Sequence, residues 1–262
     1  MQVEDQSMHS ISISSRFSIW VQRTAGWLAF ALTGMVVLIL LRGLRSYRIV
    51  DHRRHRAFFS SLRKDLQKQN APLLICANHL TMIDSVILQW AFADLNRYLF
   101  RFGDFAWNVP AREVFASRWY FRLIIYLAKC IPIDRAGGKE HHEEIMRRIE
   151  YILEMGDPFI IFPEGGRSRR GRFDIERLTY GIGRIIKDLP ETRVLCVYLR
   201  SDRQHSYTAL PPKGSAFDLE YSVIQPTTAE KGMRAERDLA TQVGEEIVKL
   251  ERQYFEKYPD RQ

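Results

Sequence analysis

The chain has 262 residues, enough to bury the core of one large domain or two small ones. Hydrophobic residues make up 46% and charged residues 27%, a globular balance that excludes global disorder. Thirty of the 39 basic residues are arginine, and the formal charge of +8 points to an anionic partner: nucleic acid, a lipid headgroup or a phosphorylated small molecule.

Residues 24–41, TAGWLAFALTGMVVLILL, contain no charge. As a helix they would be about 27 Å long, close to the roughly 30 Å hydrocarbon core of a bilayer. The stretch shows no polar face, as a soluble core helix would, and Arg42 follows at once where a signal peptide would need a small-x-small site. Glu4 and Asp5 also do not suit a signal sequence. A membrane-anchoring helix is expected, either spanning the bilayer or lying in its interface. Arg16 and Arg23 precede it, whereas Arg42, Arg45, Arg48, Arg53, Arg54 and Arg56 follow. The positive-inside rule then places everything after Leu41 in the cytoplasm, with those six arginines near anionic headgroups. Residues 1–60 are read as the anchor and its basic juxtamembrane segment, and residues 61–262 as the functional domain.

Within that domain, residues 73–77, 127–133, 159–162 and 194–199 are continuous apolar runs and read as buried strands. Between them, Ile145, Ile149, Ile152 and Leu153 share one helical face, and Leu178, Ile182, Ile185 and Ile186 share another. Leu239, Val243, Ile247, Leu250 and Tyr254 mark an amphipathic C-terminal helix. Strands alternating with helices predict an α/β fold with a mostly parallel sheet flanked by helices. Between Trp90 and Tyr126 lie twelve aromatics interleaved with Arg97, Arg101, Arg112, Arg118 and Arg122. Such a mixture suits a membrane interface, single-stranded nucleic acid or an ordinary core with basic outer faces. Cys76, Cys130 and Cys196 are odd in number, far apart and set in apolar runs, which predicts buried free thiols and excludes a disulfide framework or a zinc site.

Ligands of such sheets bind beyond the carboxyl ends of the strands. After the first run stand Asn78 and His79, with Asp84 five residues past the histidine. A histidine there can act as general base, and Asp84 can hold its tautomer, provided the chain turns at His79. The pattern Thr81-x-x-Asp84 predicts a helix starting at Thr81, and it also permits Asp84 to be a plain first-turn acid. After the second run come Asp134 and Arg135; the arginine suits an anionic ligand or a surface pair with Asp134. After the third come Pro163, Glu164, Gly165, Gly166, Arg167 and Ser168, followed by Arg169, Arg170 and Arg172. Two glycines and a concentration of positive charge suit a phosphate, although a solvated basic turn competes and the spacing is not that of a nucleotide P-loop. Glu164 in this setting is expected to stay ionised and to orient an arginine.

In this order, the three clusters resemble the motifs of the glycerolipid acyltransferase family that includes lysophosphatidic-acid acyltransferases. N-H-x4-D is matched by Asn78, His79 and Asp84, I-D-R by Ile133, Asp134 and Arg135, and F-P-E-G-T-R-S by Phe162, Pro163, Glu164, Gly165, Arg167 and Ser168. Gly166 stands in place of the usual threonine, the strand 194–199 lacks the usual proline, and residues 102–110 lack the usual lysine pattern.

The resemblance implies that His79 and Asp84 are catalytic, with His79 taking the proton of an acceptor hydroxyl as it attacks an acyl thioester. It implies substrate binding by Asn78, Arg135, Glu164, Gly165, Arg167 and Ser168, with no metal and no cofactor beyond the donor, acyl-CoA or acyl carrier protein. The expected partners are a lysolipid acceptor, the thioester donor and an anionic bilayer, and no nucleic acid. The implied product is phosphatidic acid from 1-acylglycerol-3-phosphate. Another lysophospholipid or a lyso-aminolipid is the alternative acceptor. From another class, a non-catalytic basic adaptor for membranes or nucleic acid would show salt-sensitive binding without acyl transfer.

Overall fold

The computed structural model describes residues 11–115 and 118–261. Glu4 and Asp5 lie outside them. The first described helix is α1 (Ile13–Leu38), which widens into a six-residue π-helix, Ile39–Leu44. There follow β1 (Arg48–Ile49), α2 (His52–Gln69), β2 (Leu73–Ala77), α3 (Asp84–Phe92), α4 (Leu95–Phe100) and β3 (Trp107–Asn108). After α5 (Arg112–Phe115) come α6 (Trp119–Leu127), α7 (Lys139–Glu154), β4 (Phe159–Ile161), α8 (Gly181–Asp188), β5 (Arg193–Ser201), β6 (Ala216–Ile224) and α9 (Gly232–Lys257).

The six strands form one sheet in the order β1-β6-β5-β2-β4-β3. Every pairing is parallel except β5 with β6. The expected mostly parallel α/β architecture is what the chain adopts. All five β2 residues are buried, because helices cover both faces and no polar alternation is needed. One apolar cluster gathers Leu74, Cys76, Phe159, Val194 and Cys196 under α7, α8 and α9. The opposite cluster gathers Leu73, Ile75, Ala77, Leu195 and Val197 with α2, α3 and Leu41. Alternate residues of each strand thus serve opposite layers. The three cysteines are free and buried, and burial pushes their thiols up.

Several expectations are corrected. Residues 127–133 are not a strand: α6 runs to Leu127, Lys129 takes a left-handed conformation (φ 53°), and Cys130 and Ile133 make only isolated bridges to Asn108 and Ala111. A short buried apolar run does not distinguish a helix end from a strand, and Pro132 removes a ladder donor. The long antiparallel strand β6 forms no continuous apolar run; Phe217, Leu219, Tyr221 and Val223 alternate with Asp218, Glu220 and Ser222, the period-two pattern of an antiparallel strand. Leu178 precedes α8 rather than sharing its face. Of the aromatics between Trp90 and Tyr126, Trp90, Phe92, Tyr98, Phe102 and Trp107 are core residues, while Phe100, Trp119 and Phe121 are exposed.

Residues 13–44 are long and apolar enough to cross a membrane. Their helix lies along the domain, burying Ser15, Ile19, Gln22, Gly26, Phe30 and Gly34 at helical spacing. Gly26 permits a close approach to backbone: a Cβ there would stand 2.7 Å from the Leu127 carbonyl oxygen of α6. Polar groups on this face are all matched. Ser15 Oγ donates to Glu144, Gln22 Nε2 donates to the Tyr126 and Cys130 carbonyls, and Arg23 pairs with Asp157 at 2.9 Å. Asp157 also takes Lys129 Nζ at 2.8 Å and Trp107 Nε1 at 3.0 Å. Burial pulls the Lys129 ammonium down to about 8, against the attraction of Asp157. The outer face of the helix exposes Phe17, Trp20, Trp27, Leu28, Leu32, Met35 and Val36.

Candidate active site

Strand β2 ends at Ala77, and Asn78 and His79 emerge between the flanking strands β4 and β5. Asn78 is buried, and its amide bonds both ways to Leu199 of β5, donating to the carbonyl at 3.0 Å and accepting from the amide at 2.7 Å. The end of β2 is thereby stitched to its neighbour. The chain then turns over residues 79–83, and α3 starts at Asp84 rather than at Thr81. Asp84 does open a helix, but its carboxylate reaches backwards and holds the turn. Oδ2 accepts from the Leu80 and Thr81 amides, each at 2.7 Å, and from His79 Nδ1 at 2.9 Å; Oδ1 accepts from Thr81 Oγ1 at 2.5 Å. These four donors, with the helix N-terminus beside them, suit an ionised acceptor.

An acceptor-only carboxylate on Nδ1 fixes the proton there and leaves Nε2 as the basic nitrogen. Among the described residues nothing bonds Nε2. The His79 side chain keeps 17% of its surface while Asp84 keeps 3%, so the pair has a buried orienting end and an accessible reacting end. The imidazole also stacks on Phe162, with ring centroids 4.1 Å apart and planes 14° apart. Phe162 is expected from the sequence as the end of a buried strand and as a motif residue, not as a partner of the imidazole. Its position just after β4, parallel to and beside β2, is the signal that would have placed it there.

The loop after β4 closes on the same turn. Its backbone amide at Ser168 donates to the His79 carbonyl at 2.8 Å, and Glu164 Oε2 accepts from the His79 amide at 3.2 Å. Glu164 is buried, takes Ser168 Oγ at 2.5 and 2.6 Å on its two oxygens, and accepts from the Asp174 amide at 3.2 Å. Among the described residues it pairs with no arginine, contrary to expectation. Burial pushes its carboxyl up to about 7, in spite of these donors, so near neutral pH it is divided between the protonated and ionised forms rather than fully ionised. Gly165 sits at φ +60°, where a Cβ would stand 2.5 Å from Thr179 Cγ2; the turn requires glycine for both reasons.

The three motifs therefore meet. Arg135, exposed two residues after the isolated bridge of Ile133, donates to the Gly165 carbonyl at 2.8 Å. Arg167 is half-buried and donates to the Tyr207 hydroxyl at 3.0 Å, its guanidinium 5.3 Å from that ring. Arg135, Gly165 and Arg167 face solvent beside the turn, whereas Asn78, Glu164 and Ser168 are buried with their polar atoms bonded inside the protein. Asp134 does not pair with Arg135; its carboxylate accepts from the Ala136 amide at 3.0 Å. Chemically, the site offers one oriented base at the surface with two guanidinium groups in neighbouring loops.

No curated protein matches the chain. The family model described as Acyltransferase matches residues 60–222, which hold the turn, both loops, four of the six strands and most of β6. The chain belongs to the Acyltransferase family, the glycerolipid, lysophosphatidic-acid-acyltransferase-like group that its motifs resemble.

Proposed function

We propose that this acyltransferase moves a fatty acyl group from an acyl thioester to a lysolipid hydroxyl at a membrane surface. The observation that carries the reading is the His79–Asp84 pair, with Nδ1 held at 2.9 Å and Nε2 free among the described residues. His79 Nε2 takes the acceptor hydroxyl proton as that oxygen attacks the thioester carbonyl. The C–S bond breaks, and the imidazolium returns the proton to the departing thiolate. Asp84 stabilises the imidazolium charge in between. All three thiols are buried and pushed up, which suits direct transfer rather than an acyl-cysteine intermediate.

Arg135 and Arg167 then bind an anionic headgroup, with Gly165 lining their loop. Asn78, Glu164 and Ser168 serve by fixing the turn. Phosphate matches two guanidinium forks, so 1-acylglycerol-3-phosphate is the acceptor of choice and phosphatidic acid the product. Gly166, in place of a hydroxyl-bearing residue, favours a second acceptor, another lysophospholipid or a lyso-aminolipid.

The N-terminal helix favours an interfacial anchor over a spanning one. Ser15, Arg23 and Phe30 are joined to the domain at points spread along α1, so crossing the bilayer would draw Glu144 and Asp157 into the hydrocarbon. Its exposed outer face, with Phe100, Trp119, Phe121 and Ile124, suits the acyl-chain region of the facing leaflet.

The test is transfer from labelled acyl-CoA and acyl carrier protein to a panel of lysolipids differing only in headgroup. Preference for the phosphate monoester supports the proposed acceptor. Equal use of neutral headgroups favours the second one, and no transfer from either donor overturns the reading.

A further inference from the structure

The catalytic turn is also held from a side that no motif occupies. Between β5 and β6 the chain leaves the sheet after Ser201 and returns at Ala216, and this excursion lies against residues 80–82. The Leu80 carbonyl oxygen accepts from Gln204 Nε2 and from the Thr208 amide, both at 3.2 Å. The Met82 amide donates to the Ala209 carbonyl at 3.1 Å. On its other side the Leu80 amide donates to Asp84 at 2.7 Å. The Thr81 amide, in the same peptide unit as the Leu80 carbonyl, also donates to Asp84 at 2.7 Å, so that unit is gripped by the catalytic carboxylate and by the excursion at once. Gln204 keeps 3% of its surface, unusual for a loop glutamine, and its buried amide faces the turn.

The excursion is itself tied down at both ends. Arg200, 2% exposed, donates to the Gly171 carbonyl at the far end of the glycine-containing loop and reaches the His205 carbonyl at 3.5 Å. The Tyr47 hydroxyl and Arg45, just past the π-helix, donate to the Pro211 carbonyl at 2.6 and 2.5 Å. Tyr207 carries Arg167 between these points.

We infer that residues 202–215 form a strap that sets the catalytic turn, with Gln204 as a positioning residue acting through Leu80 on the His79–Asp84 pair. The kinetic consequence rests on the acyl-transfer reading; the grip itself does not. Gln204→Met keeps the length and bulk of the side chain and removes its N–H donors, while Thr208 still satisfies Leu80. Displacing a reacting group by about 1 Å costs up to about 10²-fold, and loss of one of two donors should cost about tenfold.

Amide exchange by mass spectrometry and steady-state kinetics on the full chain in detergent test this together. In Gln204→Met, the amides of residues 80–84 should exchange faster while β2 and β5 keep their protection. kcat should fall about tenfold with both KM values unchanged. Tyr47→Phe, remote from the turn, should give the same pattern at smaller amplitude. Faster exchange in a chain whose wild type transfers no acyl group would uphold the strap and sink the acyl-transfer reading. Unchanged exchange at residues 80–84 in both variants, or a raised KM with kcat intact, overturns the inference.

Discussion

Replacing Asp84 by asparagine separates the charge of the carboxylate from its geometry. The amide oxygen can take the place of Oδ2, keeping the bonds from His79 Nδ1, Leu80 and Thr81, and the amide N–H can then meet Thr81 Oγ1. The turn and the histidine tautomer survive, and the negative charge is lost. In the proposed step His79 becomes a cation hydrogen-bonded to Asp84 across 2.9 Å, with Asp84 almost wholly buried. Two unit charges centred roughly 4 Å apart at an effective dielectric near 20 attract by about 4 kcal/mol. That term exists in the transition state and not in the ground state, so kcat should fall about 10²–10³-fold with little change in either KM. Initial rates at saturating donor and acceptor measure it, with circular dichroism confirming the fold. A kcat within tenfold of wild type, or a raised KM at unchanged kcat, would refute the assignment of Asp84 as stabiliser of the imidazolium.

Three further outcomes follow from the same contacts. Glu164 has its carboxyl raised to about 7 from an ordinary 4.5, so the folded chain holds a proton that the unfolded chain gives up. That stabilisation is complete below about pH 4.5, is lost as pH rises through 7 and amounts to about 3 kcal/mol; relative to Glu164→Gln, the wild type should lose that much across the window in denaturant melts, and a gain would reverse the sign. Asp157→Asn leaves the fully buried Lys129 without its counter-charge and loosens Arg23 of α1, which should cost about 3–5 kcal/mol of stability; a loss below about 1 kcal/mol would show the cluster to be slack. Arg135→Ala should raise KM for a phosphate-bearing acceptor about tenfold and leave that for a neutral headgroup unchanged, as read from paired substrate titrations. Equal effects on both would remove the headgroup role.

Much of this architecture is legible in the sequence because buried parallel strands leave continuous apolar runs. Residues 73–77 and 194–199 fall in adjacent strands for that reason. The run 127–133 misleads by the same token, since α6 ends inside it and a helix terminus can be as apolar as a strand. At the site, N-H-x4-D marks the base and its partner, and the pairing distance follows once the chain turns at His79. Glu164 misleads because burial outweighs the hydrogen bonds it accepts from Ser168, Asp174 and His79, and burial cannot be read from neighbouring letters. Gln204 and the strap carry no motif at all. Their role depends on how an excursion of the sheet folds back on residues 80–82, a long-range contact with no local periodicity.

The central claim is that His79 Nε2 carries the proton in acyl transfer. Single-turnover transfer from labelled donor by His79→Ala, in the full chain with an unchanged melting profile, tests it most directly. A general base of this kind contributes about 10²–10⁴-fold, so the rate should fall by at least 10²-fold with acceptor binding retained. A rate within tenfold of wild type would contradict the account.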